Sequence, residues 1–392
     1  MRVLLTGGGT AGHINPALAI AETVLQNAPD SEIAFVGVRG GKEEDLVPRE
    51  GYPLHYVKAK GFSRKRLSLS NIPAYWLALT SPYSPKTVGI LKDFRPDIVI
   101  GTGGYACWPI MAAAVRMGIP TAVHESNALP GLAIRKLQDK VDRIWINFEK
   151  TAERLHQKER VIHVGNPLRR GFGTISREEA RKRLGISSDI KFILSFGGSL
   201  GAERVNEAVL GMMKEYSSKD PLVLHLHATG KRDFENVQSQ YRALGLHEHV
   251  QCRLADYIYD MPLQMAAADL IISRAGAMTV SELALMKKSC ILIPSPNVAD
   301  NHQYLNAKAL ADRSAAVLLE ESALDGRALS DAVRRILEDP GVSGQMETAI
   351  AAFARQDVNR LIWQDICMLT GKYNGKKERT SSYESAATKS KR

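Results

Sequence analysis

The stretch VLLTGGGTAGHINPALAIAETV, residues 3–24, joins a short apolar run to an amphipathic segment through a glycine turn. A second stretch, FILSFGGSLGAERVNEAV at residues 192–209, repeats this order in the other half of the chain. A strand, a glycine turn and a helix in succession are typical of a Rossmann-like βα unit, where backbone amides and the helix dipole can meet an anion. Two such units predict two α/β domains that bind a ligand between them.

Short apolar runs alternate with amphipathic stretches elsewhere, as in parallel sheets built from βα units. The predicted strands cover residues 3–6, 33–38, 54–57, 98–101, 121–124 and 143–146, and then 192–196, 223–228, 250–253, 270–273, 290–294 and 316–319. The Gly, Asn and Pro cluster VGNPLRRGFGT at 164–174 predicts the interdomain hinge. Two closing helices, around 342–354 and 359–370, are expected to pack back across the domain junction.

Composition narrows the class of protein. The chain has 392 residues, of which 44% are hydrophobic and 24% charged, which excludes a fibrous or wholly disordered chain. Half of the net charge of +10 lies in residues 371–392, so we predict a disordered basic tail and no nucleic-acid partner. The N-terminus lacks a signal-peptide pattern and no apolar run reaches 18 residues, which predicts a cytoplasmic location without a membrane span. The four cysteines have no CxxC spacing, so neither a disulfide framework nor a zinc site is expected.

The first glycine turn leaves two interpretations open. Gly7, Gly9 and Gly12 satisfy the GxGxxG spacing of a dinucleotide site. Such a site prefers an acidic residue after the second strand to hold a ribose, whereas this chain has Arg39 there, which at best suits a 2′-phosphate. An NADP-dependent oxidoreductase is therefore an alternative, against which the second glycine turn argues.

The second half adds RAGAMTVSE at 274–282, in which a small-residue turn opens a helix. The amides of residues 277–279 can face a diphosphate, and the carboxylate of Glu282 can accept hydrogen bonds from both hydroxyls of a ribose. Asp300, Gln303 and Asn306 then offer polar side chains at the carboxyl edge of the sheet. These features favour a nucleotide sugar.

Seven blocks occur in order along the chain: GGTAGH (8–13), GTGGY (101–105), HESN (124–127), GNPLR (165–169), GGSLGA (197–202), RAGAMTVSE (274–282) and DNHQYLNA (300–307). Together, over about residues 1–370, they resemble the MurG family of glycosyltransferase family 28. The resemblance implies a GT-B fold, in which two Rossmann-like domains with parallel sheets face each other across a cleft. It also implies inverting transfer of N-acetylglucosamine from UDP-GlcNAc to the 4-hydroxyl of MurNAc in undecaprenyl-pyrophosphoryl-MurNAc-pentapeptide (lipid I), giving lipid II for peptidoglycan synthesis.

The resemblance also implies roles for individual residues. The catalytic and acceptor cleft is expected to contain His13, Tyr105, His124 and Glu125. The UDP-GlcNAc site is expected to comprise Thr10, Ala11, Gly12, Asn127, Arg169, Ser199, Ile258, Arg274, Ala277, Met278, Thr279, Val280, Ser281, Glu282 and Gln303. Two residues depart from the family pattern: Ala11, where Gly is common, and His302, where many members have a second Gln before Gln303.

The corresponding domains are 1–164 for the acceptor and the membrane, 165–355 for the UDP-sugar, a terminal helix at 356–370 that packs on the first domain, and the tail at 371–392. We expect His13 to act as the general base, because the nearby helix N-terminus disfavours the imidazolium; His124 or Glu125 is the alternative. No Asp-x-Asp motif occurs, so we predict no metal and no cofactor, with helix N-termini and arginines stabilising the leaving diphosphate.

A lipid acceptor implies contact with the cytoplasmic face of the cell membrane. Residues 60–79, KGFSRKRLSLSNIPAYWLAL, combine Arg64, Lys65 and Arg66 with Phe62, Leu67, Ile72, Trp76 and Leu79, a mixture suited to an anionic membrane surface. Other proteins of cell-wall synthesis and division are further candidate partners by resemblance. Two rival functions are a related transferase acting on diacylglycerol and a catalytically silent sugar-nucleotide or lipid-binding regulator.

Overall fold

A computed structural model of the chain describes residues 1–61, 71–198, 201–298 and 301–372. Within these ranges the chain forms two parallel sheets, one of seven strands and one of six, each covered by helices. The central strands are buried on both faces, which explains why most of them are nearly continuous apolar runs. The architecture is that of two Rossmann-like domains, as the paired glycine turns predict.

The first sheet has the strand order β3-β2-β1-β4-β5-β6-β7. Its strands are β1 (Arg2–Thr6), β2 (Glu32–Gly37), β3 (Leu54–Tyr56), β4 (Ile98–Gly101), β5 (Thr121–Glu125), β6 (Arg143–Ile146) and β7 (Val161–His163). Its helices are α1 (Ala11–Asn27), α2 (Glu43–Arg49), α3 (Ile72–Thr80), α4 (Pro85–Phe94), α5 (Cys107–Arg116) and α6 (Leu132–Leu137).

The second sheet has the order β10-β9-β8-β11-β12-β13. Its strands are β8 (Lys191–Phe196), β9 (Val223–Ala228), β10 (Cys252–Ala255), β11 (Leu270–Ser273), β12 (Ser289–Leu292) and β13 (Val317–Leu318). The helices that follow the hinge are α7 (Arg177–Leu184), α8 (Glu203–Met212), α9 (Phe234–Ala243), α10 (Met261–Ala267), α11 (Ala277–Leu285), α12 (His302–Ala311), α13 (Gly326–Leu337), α14 (Pro340–Ala351) and α15 (Val358–Leu369).

The order of the strands reverses between β1 and β4 and again between β8 and β11. Thr6 pairs with Gly101, and Phe196 pairs with Ser273, so the turns after these strands leave each sheet at the same level. In open α/β sheets, ligands bind at such switch points, outside the carboxyl ends of the strands. The register therefore brings the four glycine-containing turns of the sequence to the two binding edges.

The predicted strands agree with the structure except at two places. The strand predicted at 250–253 lies two residues later, because Val250 is exposed in a turn that Cys252 closes by donating its amide to His249. Strand β7 was not predicted, because it is a short, half-buried edge strand without a marked apolar run.

The last two helices pack on different sheets. Helix α14 begins where the Asp339 side chain accepts the amides of the first turn, and it contributes Met346 and Ile350 to the cores of the second domain. Helix α15 contributes Val358, Ile362 and Ile366 to the core of the first domain. There Asp365 accepts a hydrogen bond of 2.8 Å from the Trp145 indole and pairs with Arg143 at 3.0 Å.

Within the described ranges, none of the helices has the length and apolar character needed to cross a membrane. The most exposed apolar surface lies on α3 and the turn after it, where Ile72, Tyr75, Trp76, Leu79 and Tyr83 face outward. Part of the predicted membrane-contacting segment lies outside the described residues, namely Phe62 and residues 64–67. The predicted basic tail also lies outside them, except for residues 371 and 372.

Candidate active site

At the switch point of the first sheet, the turn after β1 lies beside the GTGGY turn after β4. The first turn of α1 carries His13, and the Thr102 hydroxyl donates to the His13 carbonyl oxygen at 2.6 Å. Thr10, Ala11 and Gly12 form the open entrance to the helix, with Thr10 and Gly12 exposed. The two turns therefore build one site around the imidazole of His13.

Hydrogen bonds fix the tautomer of His13. Its Nδ1 lies 3.1 Å from the Gly8 carbonyl oxygen and 3.2 Å from the Thr10 hydroxyl. Because a carbonyl oxygen can only accept, Nδ1 carries the proton in the neutral ring, which leaves the lone pair on Nε2. The ring packs against Gly103, where a Cβ would lie 3.0 Å from the His13 ring carbon Cδ2, so only glycine leaves room for it.

Burial lowers the pKa of His13 below its ordinary 6.5, and the hydrogen bond to Gly8 opposes this shift. The nearby His302 imidazole, at the start of α12 in the second domain, also lowers the pKa of His13, whereas Glu43 raises it. The imidazole is therefore neutral near pH 7, with a free Nε2, which is the state that a general base needs.

Glu43 lies beneath the first glycine turn, although no sequence motif predicts it as a site residue. Its side chain is buried and accepts hydrogen bonds from the Gly9 amide at 3.1 Å and the Val38 amide at 3.0 Å. A Cβ on Gly8 would lie 2.5 Å from one Glu43 oxygen, so the glycine makes space for a carboxylate. A possible signal was the acidic run at the start of the helix after the second strand, KEED at 42–45.

Tyr105 closes the other side of this turn. Its ring packs against Gly9, where a Cβ would lie 2.9 Å from the ring edge. Burial and the nearby Glu43 carboxylate raise the pKa of the phenol, so it stays protonated and can donate a hydrogen bond. Tyr105 thus lies against the same glycine turn as His13.

The HESN motif lies at the end of β5, where its first two side chains are engaged inside the protein. His124 is fully buried; its Nε2 donates to the Gly165 carbonyl at 2.9 Å and its Nδ1 lies 3.3 Å from the Ser126 hydroxyl. Burial lowers the pKa of His124 to about 4. With both ring nitrogens engaged, His124 is poorly placed to take a proton from a substrate.

Glu125 is also buried, and its carboxylate organises the loop that follows. One oxygen accepts the amide of Asn127 at 2.9 Å and its side-chain nitrogen at 3.2 Å, while the other accepts the Gly131 amide at 2.7 Å. Burial raises the pKa of Glu125 against the effect of these hydrogen bonds. Asn127 is only half-buried and remains available at the edge of the loop.

At the switch point of the second sheet, the turn after β11 enters α11. Two buried asparagines hold its carbonyl groups: Asn306 donates to Ala275 and Asn166 donates to Ala277, each at 3.1 Å. The first amides of a helix have no acceptor within the helix, so those of Ala277, Met278 and Thr279 are available to an anion. Ser199, the predicted phosphate ligand in the neighbouring turn, lies outside the described residues, as does Asp300.

Glu282 follows on the second turn of α11 and is half-buried. Its carboxylate has no hydrogen bond or ion pair among the described residues, and burial raises its pKa to about 7. An unpaired carboxylate with a raised pKa in a cleft is typical of a ligand-binding position. The side chains of Val280 and Ser281 point elsewhere: Val280 is buried in the core and the Ser281 hydroxyl accepts from Asn166 at 3.0 Å.

Three further residues were predicted to bind UDP-GlcNAc: Arg274, Gln303 and Ile258. Arg274 pairs with Glu321 and donates to the carbonyls of Ile293 and Pro294, both at 3.2 Å. Gln303 accepts the Ser295 amide at 2.9 Å. The side chain of Ile258 is buried in the core, which leaves its backbone as the only part that can meet a nucleobase. Asn306, predicted to offer a polar side chain at the carboxyl edge of the sheet, is fully buried and donates to the Ala275 carbonyl.

Arg169 lies in the hinge and contacts the first domain. Its guanidinium pairs with Glu22 at 3.1 Å and Glu50 at 2.6 Å. Its predicted contact with the donor would require these ion pairs to open. Across the described part of the chain, no group of three or more His, Cys, Asp or Glu side chains could hold a metal ion.

Two family models match the chain. Residues 3–146 match the glycosyltransferase family 28 N-terminal domain, and residues 192–362 match the family 28 C-terminal domain. The first match covers β1 to β6 and the second covers β8 to β13, so each includes one of the two switch points.

Similar proteins cover nearly the full chain. An Acetivibrio thermocellus UDP-N-acetylglucosamine–N-acetylmuramyl-(pentapeptide) pyrophosphoryl-undecaprenol N-acetylglucosamine transferase is 42% identical over 88% of this chain and 92% of its own. The Caldanaerobacter subterraneus protein of the same name is 38% identical over 94% of this chain and 100% of its own. The crystal structure of Acinetobacter baumannii MurG superposes with a TM-score of 0.73 at 26% identity, covering 94% of this chain and 99% of that one.

Proposed function

The chain belongs to glycosyltransferase family 28, and from that premise we propose that it transfers N-acetylglucosamine from UDP-GlcNAc to the 4-hydroxyl of MurNAc in lipid I, giving lipid II. The observation that carries this proposal is the full-length similarity to transferases of that name, which includes both switch points. The site described above supplies the groups that such a transfer needs.

We infer that the second domain holds the donor. The amides at the start of α11 would bind the diphosphate, and the unpaired Glu282 carboxylate would accept hydrogen bonds from the two ribose hydroxyls. The Ile258 backbone would face uracil, and Gln303 would reach the sugar. This arrangement meets the charge of the leaving UDP with fixed dipoles, so we expect the chemical step to proceed without a divalent ion.

His13 is our choice for the general base. In an inverting transfer, the acceptor oxygen bonds to C1 of the sugar on the face opposite UDP while the bond from C1 to the UDP oxygen breaks. UDP leaves with that electron pair, and the acceptor proton passes to the lone pair of His13 Nε2. Tyr105 would orient the acceptor, and Asn127 would bind a hydroxyl of the transferred sugar.

The decisive experiment is a transfer assay with purified protein and radiolabelled UDP-GlcNAc. A lipid I analogue and diacylglycerol are offered in parallel reactions, with and without EDTA. We expect the label to appear in the lipid I analogue and EDTA to leave the rate unchanged. Label in diacylglycerol alone would assign the rival transferase, and binding of NADPH without binding of UDP would assign the oxidoreductase.

We propose further that the protein works as a peripheral protein on the cytoplasmic face of the membrane, through α3. Trp76 and Leu79 are 63% and 73% exposed, and Arg116 stacks on Tyr83 beside them, 4.1 Å from the ring centre. Apolar side chains flanked by cations suit an anionic bilayer surface.

Flotation on vesicles containing anionic lipid tests this surface. We expect Trp76→Ser with Leu79→Ser to lower the partition constant onto vesicles by up to about 1,000-fold, because burial of each apolar side chain in the bilayer contributes on the order of 2 kcal/mol. Val250→Ser is the matched control, since Val250 is 81% exposed in the second domain. Equal binding by all three proteins would remove the proposal.

A further inference from the structure

The hinge between the domains is fastened on both sides by buried side-chain hydrogen bonds. On the side of the first domain, His124 at the end of β5 donates to the Gly165 carbonyl at 2.9 Å. On the side of the second domain, Asn166 donates to the Ala277 carbonyl at 3.1 Å and to the Ser281 hydroxyl at 3.0 Å. Two consecutive hinge residues therefore join the end of β5 to the start of α11.

The orientation of the Asn166 side chain is determined by its surroundings. Its nitrogen faces the Ala277 carbonyl, which can only accept, whereas its oxygen has no partner among the described residues. The side chain is almost fully buried, and the following Pro167 restricts the Asn166 backbone to extended conformations. Asn166 thus donates both of its side-chain hydrogen bonds to α11, and it joins the hinge to this helix through a backbone of restricted conformation.

The two ends of this connection lie at the two halves of the candidate active site. His124 precedes Glu125 and Asn127, which shape the acceptor-side loop. Ala277 and Ser281 lie on the helix whose first amides and Glu282 form the donor site. Small errors in the distance between the two halves would lower the rate of transfer, because a displacement of about 1 Å can cost about 100-fold in rate.

We propose that His124 and Asn166 are positioning residues that set the donor helix α11 against the acceptor loop through the hinge. The inference rests on the proposed function, because it assigns these residues to the geometry of the transfer between donor and acceptor. It also explains why a histidine in a motif of the cleft has both ring nitrogens engaged inside the protein. His124 acts on the reaction through Gly165, and the proton goes to His13.

The kinetic test separates positioning from donor binding. For Asn166→Ala and His124→Phe, we expect kcat to fall about 10- to 100-fold while the Kd for UDP, measured by calorimetry, stays within about threefold. His124→Gln keeps an N–H donor and should recover most of the rate. The double variant Asn166→Ala with His124→Phe should lose little more than either single variant, because both break one connection.

Ser330→Ala is the control for stability alone. It removes a buried hydrogen bond to the Gly326 carbonyl in α13, far from the cleft, and should change the melting temperature without changing kcat. The proposal would be overturned if Asn166→Ala weakened UDP binding by the same factor by which it lowered kcat. It would also be overturned if the fall in kcat of the double variant equalled the product of the falls in the two single variants. A fall in melting temperature with an unchanged kcat would likewise overturn it.

A distance measurement tests the same connection without any turnover. Spin labels at Asp30→Cys and Lys219→Cys occupy one exposed site in each domain. Pulsed electron paramagnetic resonance then measures the distance between the two labels. We expect a broader distribution in Asn166→Ala and His124→Phe than in wild type or Ser330→Ala. An unchanged distribution would refute the connection. Failure of wild type to label a lipid I analogue would instead refute the proposed function.

Discussion

The turn after β1 and the turn after β11 both join a buried strand to a helix through small residues, yet they use their backbone groups in opposite ways. In the first turn the Gly9 amide is bound by the Glu43 carboxylate. In the second turn the carbonyls of Ala275 and Ala277 are bound by Asn306 and Asn166, and the helix amides are left for a ligand.

This difference decides what each turn can bind. A carboxylate beneath the first turn disfavours the phosphate of a dinucleotide there, and the carbonyl of the turn contacts the imidazole of His13. The second turn has its acceptors occupied by amide donors and keeps its positive end free. A glycine-containing turn between a strand and a helix is common to both regions, so the glycine alone does not indicate the ligand class.

The largest effect is expected from His13→Ala, which removes the imidazole that the first turn holds. We expect kcat to fall about 1,000-fold, the usual range for a general base, with the Kd for UDP unchanged. In wild type, activity should be lost as the pH falls through the lowered pKa of His13, below 6.5, since protonation fills the lone pair of Nε2. Persistence of this acidic limb in His13→Ala would assign the base elsewhere.

The Glu43→Gln variant tests whether the carboxylate holds the first turn. The amide side chain keeps one of two hydrogen bonds and leaves a buried amide unpaired, so we expect a loss of about 2 kcal/mol in the free energy of unfolding. Urea denaturation measures it. Glu44→Gln is the matched control, because Glu44 binds the Gly40 amide at 2.9 Å on the exposed surface. If both variants lost the same free energy of unfolding, the hydrogen bonds of Glu43 would contribute no more to stability than those of an exposed side chain.

The smallest effect is expected from Glu282→Gln in the second domain. Burial raises the pKa of Glu282 to about 7, so its folded state keeps the proton to higher pH than the unfolded chain, and stability is lost as the pH rises from about 4.5 to 7. The variant should therefore be more stable than wild type at pH 8, because wild type then holds a charged carboxylate in a partly buried site.

The same substitution should weaken UDP binding about tenfold at pH 8, since a neutral amide binds a diol less well than a carboxylate. In wild type, UDP affinity should rise as the pH rises through 7, and this dependence should vanish in Glu282→Gln. Calorimetry at pH 6 and pH 8 measures both. A variant that binds UDP as tightly as wild type would exclude Glu282 from the donor site.

Most of the fold could be predicted, because strands buried on both faces leave long apolar runs and glycine turns mark their ends. Edge strands such as β7 carry little of that signal. Candidate ligand-binding residues could also be proposed from short motifs. Glu43 and Asn166 could not, because their roles depend on the backbone groups that they contact, which lie 34 and 111 residues away along the chain.

Helix α15 has a consequence for the order of events during synthesis. The first sheet is translated early, but the helix that completes its core lies at the far end of the described chain. Ile362 and Ile366 of that helix pack in the core, and Asp365 accepts the hydrogen bond of the Trp145 indole. While the ribosome is still translating the second domain, Trp145 lacks its partner and an apolar face of α1 stays uncovered. The core of the first domain therefore cannot be completed until α15 has been synthesised.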